Sequence, residues 1–555
     1  MKNILAFLFL LFFVVACQGD KKRFKYEGGE VSFSVSSKPT SWIPCFAYDL
    51  NTQIILNQVY ESLVEIDQHT YQVRPLLAKS FEYSPDFITY TFELNKGIYF
   101  HPSPLFPEDS LAELSNQDVI KTFEFACSRK YIESSFAYQN VLKDVKGAED
   151  FHKGLTDRIE GLREEEDKIV IELEKPDPLF LQKLASTSLG VFSSKWIENQ
   201  DAVPPGTGPF YLKEENEKEI RLIRHPFYYL ESAEGYSLPY LDEVVFKIYT
   251  DDKNKVEDFL SGDLDIINGI NASELDHIFE ARRADFNRIP PKLVYFNNPL
   301  MRTTMILFNL GSPVFKNPVN RKLFNYAIDR NEINRKIVHN QLHESNVYGL
   351  IPPMENMFNH YDYDKLKKES LDYNPELVRK NKSQLKDYQG DTLLLNILDE
   401  PQRIALGMIL KEQLRKELNV EVKLQTLKME QMFASVDKMD ADMYLISLSA
   451  EFSNPLSLMK HFHGKAVPDS SAVSSTVNLS RYQNWYFDQF FEKATKQFKS
   501  TDQFNAILLA EKELLKNPPF IVLFYNSDNY VHYTYVCNFY SNILNLVSFR
   551  EVYKK

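Results

Sequence analysis

Residues 392–426 read TLLLNILDEPQRIALGMILKEQLRKELNVEVKLQT. An apolar run over 392–398 predicts a strand, the longer stretch over 401–418 a helix, and 420–426 a second strand. Strand, helix and strand in this order form a βαβ module, because two parallel strands need a crossover connection. The chain is therefore read as α/β. Working outward, 442–449 is one more strand, and a strand over 304–309 opens another α/β unit with a helix at 320–327. Near the far end, 520–525 and 530–535 return to strands.

The first half mixes the same elements. Val31, Phe33 and Val35 alternate in a strand over 30–36, and Ile55, Leu56, Val59, Tyr60 and Leu63 share one side of a helix expected over 52–63. Residues 81–94 are two aromatic strands joined at Ser84-Pro85-Asp86, a hairpin by its turn chemistry. Pro102, Pro104 and Pro107 break the chain before a helix that begins near Asn116; a strand at 168–173 and a short helix at 178–185 follow. Proline and glycine crowd at 204–209, a boundary, after which strands are expected at 219–224 and 243–249. A helix at 253–261 capped by Gly262, a short strand at 264–267 and a second boundary at 289–297 complete this half. The distribution fits two α/β lobes joined by more than one crossing, here expected near 292–297 and 517–520. A cleft between such lobes is where small ligands sit.

At 555 residues the chain exceeds a single ordinary core, so two or three domains are expected. Lys+Arg 64 against Asp+Glu 77 gives a net charge of −13, and no compact basic stretch follows the first 25 residues, which excludes a nucleic-acid partner. With Gly at 18 against Tyr 31 and Phe 41, glycine-rich phosphate loops are disfavoured, and no cofactor is expected. No G-x-S-x-G, H-E-x-x-H or P-loop string occurs. His339 and His343 with Glu344 have a spacing that allows metal ligation, but without a third ligand they are read as solvated, as are His461 and His463, so no metal is expected. Gly206-Thr207-Gly208 is read as a tight structural turn.

The N-terminus sets the compartment. Lys2 precedes an apolar run from Ile4 to Val15, too short to span a bilayer, so it reads as a secretory signal. Val14-Val15-Ala16-Cys17 looks like a bacterial lipobox, with Cys17 the lipidated residue and 18–25 a polar tether. The remaining Cys45, Cys127 and Cys537 leave room for at most one disulfide.

Separated strings then match one family. Val59-Tyr60-Glu61-Ser62-Leu63, the string at 75–81, Ser84-Pro85-Asp86 and Tyr90-Thr91-Phe92-Glu93-Leu94 come first. Gly206-Thr207-Gly208-Pro209-Phe210-Tyr211-Leu212 follows, with Leu241-Asp242-Glu243-Val244 and Ser261-Gly262-Asp263-Leu264-Asp265. Phe308-Asn309, Asn320-Arg321-Lys322, Ala327-Ile328-Asp329-Arg330 and Pro352-Pro353 complete the order. Taken together, over most of the mature chain, these resemble the extracellular solute-binding proteins of bacterial ABC importers, the oligopeptide, dipeptide and nickel-binding type.

The resemblance implies a two-lobed periplasmic-binding-protein fold of type II, the large peptide-binding subclass, with an additional domain inserted in lobe one and closure by hinge motion. The implied division is a signal peptide at 1–16, a lipidated tether at 17–28, lobe one at 29–60, an inserted outer domain at 61–195, lobe one again at 196–290, lobe two at 291–516 and a return to lobe one at 517–555. It also implies a monomeric, non-enzymatic protein on the outer face of a bacterial membrane that hands a peptide to an ABC permease and ATPase complex. In peptide-binding members a strand-like segment pairs with the ligand backbone, a register that falls on Tyr48, Asp49 and Leu50. The acidic residue of an A-D-Y-x-x-P string holds the peptide's α-ammonium; here Ala450-Glu451-Phe452-Ser453-Asn454-Pro455 stands there. Glu451 replaces the usual Asp, Leu448 stands where tryptophan is common, and Phe100-His101-Pro102 with an insertion to about Asn116 replaces an F-x-D-G-T-P turn. Metal chelates, haem and sugars stay open as ligand classes, and a lipoprotein hydrolase or a structural surface lipoprotein are the rivals outside the family.

Overall fold

The computed structural model describes residues 24–555 except 69, 108–110, 131–134, 201–202, 339–345, 355–356, 359, 386–387, 469–474, 476 and 498. Cys17 and the His339, His343 and Glu344 group lie outside the described residues.

Leu393–Leu398 and Val422–Leu427 pair in parallel, in unbroken register from Leu393↔Val422 to Leu398↔Leu427. The crossover helix, Pro401–Leu418, has proline in its first turn and ends on Asn419 at φ 58°, a left-handed cap that asparagine tolerates. Leu406, Leu410, Leu414 and Leu418 recur every four residues and join Leu395 and Ile397 in one core. Gly407 lets the helix sit close to the sheet, since a Cβ there would stand 3.2 Å from Ile397 Cδ1.

This module is one edge of a ten-stranded mixed sheet. From that edge the order is Val422–Leu427, Leu393–Leu398, Met443–Ser449, Leu293–Phe308, Phe520–Tyr533, Ile266–Asn268, Glu30–Val35, Glu243–Ile248, Glu219–Arg224 and Phe210–Glu215. Strand alternation places Met305, Leu307 and Tyr444 in a core on one face and Ile306, Phe308 and Leu445 in a core on the other. This half of the sheet is buried on both sides, which explains its near-continuous apolar runs. In the other half Val31, Phe33, Val244 and Phe246 share a core with Tyr90, Phe92, Ile169 and Ile171. Those last four belong to a separate four-stranded antiparallel sheet, Ala78–Tyr83, Thr89–Leu94, Lys168–Glu172 and Leu162–Glu165. Beside it lies the helix Asn116–Cys127, started by a capping box between Ser115 and Asp118.

Two strands bind the halves together. Leu293–Phe308 and Phe520–Tyr533 pair antiparallel from Leu293↔Tyr533 to Pro299↔Ser527, lose register, and resume from Thr303↔Tyr525 to Leu307↔Phe520. Leu300, Met301 and Arg302 thus stand opposite Asn526 alone, an irregularity that bends and twists a pair. The expected strands at 520–525 and 530–535 are therefore one strand, and 304–309 is the end of a longer one. Asn297, Asn298 and Pro299, with Asn526, Asp528 and Asn529, interrupt the apolar alternation because they lie at the middle of the shared strands. The chain runs through the expected crossings at 292–297 and 517–520, and the break in pairing lies further in.

The helix expected over 52–63 ends much earlier, as Leu50–Leu56. Gly206-Thr207-Gly208 is the reason: Gly208 N–H donates to Val59 O at 3.0 Å and Phe210 N–H to Gln58 O at 3.0 Å, so these carbonyls serve a neighbouring segment. A Cβ on Gly206 would lie 2.3 Å from Val59 O, so only glycine permits this approach. The same contact starts the strand Phe210–Glu215, which the reading of the sequence omitted. Gly262 caps its helix in the left-handed region at φ 92°, as expected.

Candidate functional site

Ligands of open α/β sheets sit beyond the carboxyl ends of parallel strands. Met443–Ser449 pairs with Leu393–Leu398 only at Leu395↔Met443 and Asn396↔Tyr444. Beyond Tyr444 it keeps its antiparallel partner, through Arg302↔Ser449, while among the described residues no strand pairs with its other side. Residues 445–449 therefore present an open strand edge of the kind that an extended peptide joins.

The chain leaves this strand at Ala450 and sets Glu451 just past its end. The Glu451 N–H donates to Ser457 Oγ at 2.7 Å, and its carboxylate accepts from Lys460 Nζ at 2.5 Å. Both side chains of this pair are about three-quarters covered, at 23% and 24% exposure. Lys460 also reaches Asn140 Oδ1 at 3.4 Å, on the helix Phe136–Asn140 of the four-stranded unit. Burial pushes the Lys460 ammonium down, and Lys183 and Lys143 add to this, while Glu451 opposes it. Lys183 is itself bound to Asp177 at 2.5 Å and lies 5.9 Å from the centre of the Phe452 ring. Leu179 enters the core formed by Leu448, Phe452 and Leu456, so Glu451 stands at a junction between the outer unit and the second half of the sheet.

The other expected ligand residues lie in a different setting. Tyr48 is exposed at 62%. Asp49 caps the helix Leu50–Leu56: its carboxylate accepts from Thr52 N–H at 2.9 Å, Thr52 Oγ1 at 2.6 Å and Thr40 Oγ1 at 2.9 Å. Asp49 is extended, at φ −100° and ψ 154°, and the helix takes over at Leu50, which packs against the first core. No hydrogen bond or ion pair joins Tyr48, Asp49 or Leu50 to Glu451 among the described residues.

Two arginines escaped the reading of the sequence. Arg302 sits in the irregular part of the shared strands. Among the described residues its buried Nε has no hydrogen-bond partner, and burial pushes the guanidinium down against the pull of Asp528 and Glu400. Arg403, in the first turn of Pro401–Leu418, donates from Nη2 to Ser447 Oγ at 2.8 Å, and its Nε is 3.7 Å from Glu400 Oε2. Burial and the neighbouring Arg302 both push Arg403 down. The signal for Arg302 was its single cation within the apolar string LMRTTMILF.

His461 and His463 flank Phe462 at a short helical turn and are half-buried rather than solvated, because Nδ1 of His461 lies 3.0 Å from Val477 O and Nε2 of His463 lies 3.4 Å from Glu492 Oε1. Burial pushes the His461 imidazole down, towards the neutral form. Among the described residues no group of three or more His, Cys, Asp or Glu is placed to hold a metal ion. Cys45, Cys127 and Cys537 are free thiols, the first two buried. No helix among the described residues is long and apolar enough to cross a membrane.

The profile of the bacterial extracellular solute-binding proteins, family 5 (middle region), matches residues 72–469. The peptide transport periplasmic protein SapA of Salmonella typhimurium is 24% identical over 491 residues, 84% of this chain and 81% of that protein. Heme-binding protein A of Haemophilus influenzae is 25% identical over 289 residues, 50% of this chain and 48% of that protein. Among solved structures, the periplasmic binding protein DppA of Helicobacter pylori in complex with the peptide STSA has a TM-score of 0.74 at 20% identity, covering 96% of this chain and 99% of that one. The expected two-lobed type II fold therefore holds.

Proposed function

Because the chain belongs to the family 5 bacterial extracellular solute-binding proteins, we propose that it is the lipid-anchored binding component of an ABC importer, which captures a peptide between its lobes and delivers it to a membrane permease without making or breaking a bond. The observation that carries this reading is the open edge of 445–449 ending at Glu451. An extended ligand adds to that edge through its backbone, and its α-ammonium replaces Lys460 at the Glu451 carboxylate. Tyr48, Asp49 and Leu50 form the opposing wall in this reading. Closure bends the shared strands at 299–303 and 525–527, where their pairing is already interrupted. The names of the peptide-transport relative and the peptide-bound structure agree with a peptide ligand.

Native mass spectrometry of the purified mature domain tests the ligand class, since a retained peptide, haem, sugar or metal chelate differs in mass. A retained haem or sugar overturns the peptide reading. The anchor rests on Cys17 after its short apolar run. Cys17→Ser is expected to move the protein from membranes to the soluble fraction; a variant that stays on membranes in high salt places the anchor elsewhere.

A further inference from the structure

Phe24, seven residues after Cys17, is held in an aromatic slot. Its ring stacks on Tyr240 at 4.2 Å between centroids and meets Tyr553 at 5.0 Å and Tyr236 at 5.3 Å, over a small separate core of Tyr228, Leu238 and Tyr240. Gly28 N–H donates to Tyr240 O at 2.8 Å and Arg224 binds Glu27 at 2.6 Å, so the chain is fastened to the body at several points as it enters. Fastening at Phe24 limits how far a lipid on Cys17 can stand from the body, since seven extended residues span at most about 25 Å. The strand Glu30–Val35 leads from this end towards the shared strands, because Ile266–Asn268 lies parallel beside it and reaches Tyr530. The slot and the interrupted pairing at 299–303 therefore lie at opposite ends of that strand. With a net charge of −13 the chain as a whole is repelled by an anionic bilayer. Salt screens exposed charges beyond about 8 Å, so the charge near each end decides which end approaches. Lys21, Lys22, Arg23 and Lys25 put four cations into five residues. Lys25 is exposed, and Lys555 Nζ lies 5.8 Å from the ring centres of both Tyr26 and Tyr553. Glu27 is paired with Arg224, whereas Glu234 and Glu551, near Tyr240, oppose these cations. Tyr26, Tyr236 and Tyr553 are half-buried, and rings with an apolar body and a polar tip suit the headgroup level of a bilayer.

We propose that Tyr26, Tyr236 and Tyr553 with Lys25 and Lys555, next to the cations of 21–23, form a membrane-contact face that binds the headgroups of anionic phospholipids. The proposal rests on the lipid-anchored reading for its orientation: the short tether brings this face to the bilayer, and contact there leaves the open edge of 445–449 uncovered.

The test uses the Cys17→Ser protein without residues 1–16, which carries no lipid and so isolates the face from the anchor. At low salt it is expected to sediment at least about tenfold more tightly with vesicles of phosphatidylcholine and phosphatidylglycerol in equal parts than with phosphatidylcholine alone. High salt should remove the difference, and Lys25→Glu combined with Lys555→Glu should remove most of it. Cys537 reports orientation, because it pairs with Tyr553 across the short strands Val536–Cys537 and Tyr553–Lys554 and is half-exposed, while Cys45 and Cys127 are buried. Its alkylation by a water-soluble maleimide should slow severalfold on the anionic vesicles and stay unchanged on the neutral ones. Equal sedimentation with both kinds of vesicle overturns the proposal, as does anionic binding that leaves Cys537 fully reactive, which assigns the attraction to the tether alone. The anchor is judged separately, by fractionation of the parent and Cys17→Ser in high salt. Should Cys17 carry no lipid, anionic binding with protection of Cys537 still upholds the face, and its absence still removes it.

Discussion

Two charged regions of the candidate site are built on opposite plans. At Glu451 the chain provides its own counter-ion, Lys460 at 2.5 Å, and fastens it to the outer unit through Asn140. At Arg302 the chain provides a second cation, Arg403, and among the described residues no acceptor for Nε. A group that binds at the first must displace a partner, so the gain is the difference between two similar contacts. A group that binds at the second meets a half-buried charge, so part of the desolvation cost was met on folding. A ligand that meets both regions is expected to draw more affinity from the Arg302 end and to be selected at the Glu451 end by what it offers in place of Lys460.

The contrast depends on burial without a partner being unusual, and Glu511 is its control. This carboxyl is fully buried in Ser500–Lys516, where Ile351 N–H donates to it at 2.9 Å and the Tyr361 hydroxyl donates as well. Burial pushes it up to about 8 from a usual 4.5. A carboxyl raised in the folded state holds its proton there after the unfolded chain has released it. Stability is therefore expected to fall as pH rises from about 4.5 to about 8, by roughly 4 kcal/mol from this group. Urea unfolding at several pH values checks this, and Glu511→Gln should flatten the profile. An unchanged profile would mean that buried charge is tolerated here without neutralisation, and Arg302 would lose its distinction.

The next effect is on ligand binding. Glu451→Gln keeps shape and removes charge, and should weaken a free peptide by about 3 kcal/mol, within the range for removing one partner of a covered charge pair. N-acetylating the peptide should cost the parent protein a similar amount and the Gln variant little more. Equal binding of free and acetylated peptides by the parent would take Glu451 out of the site.

The smallest effect is expected from Lys460→Met, which leaves the Glu451 carboxylate without its cation. The pair is partly exposed and screened, so thermal unfolding should register a loss of only about 1 to 2 kcal/mol. The same variant should bind free peptides more tightly, because no lysine has to leave. Loss of stability with no gain in affinity would make the pair a structural tie to the outer unit and nothing more.

Much of this architecture was legible before folding. The module at 392–426 declared itself because its leucines repeat at helical spacing between two short apolar runs, and such periodicity is a property of neighbouring residues. Turn and cap residues such as Ser84-Pro85-Asp86, Ser115 and Gly262 act within a few positions and were equally open to reading. The scaffold strings at 59–63 and 206–212 located the family for the same reason. What the tertiary structure alone decided are contacts between residues far apart in the chain. The shared strands became continuous because Leu293–Phe308 found Phe520–Tyr533, about two hundred residues on, and the helix after Asp49 stopped short because the N–H groups of Phe210 and Gly208 claimed the carbonyls of 58 and 59. Whether a charge has a partner is also decided there. Lys460 reached Glu451 through one turn of chain and a junction with Asn140, whereas the Asp528 carboxylate near Arg302 was taken by Gly269 and Asn545 from other parts of the fold. Local pattern determines which elements form, because it acts before the chain is compact; pairing, and with it the character of the site, is settled by which side chains the compact fold leaves within reach of one another.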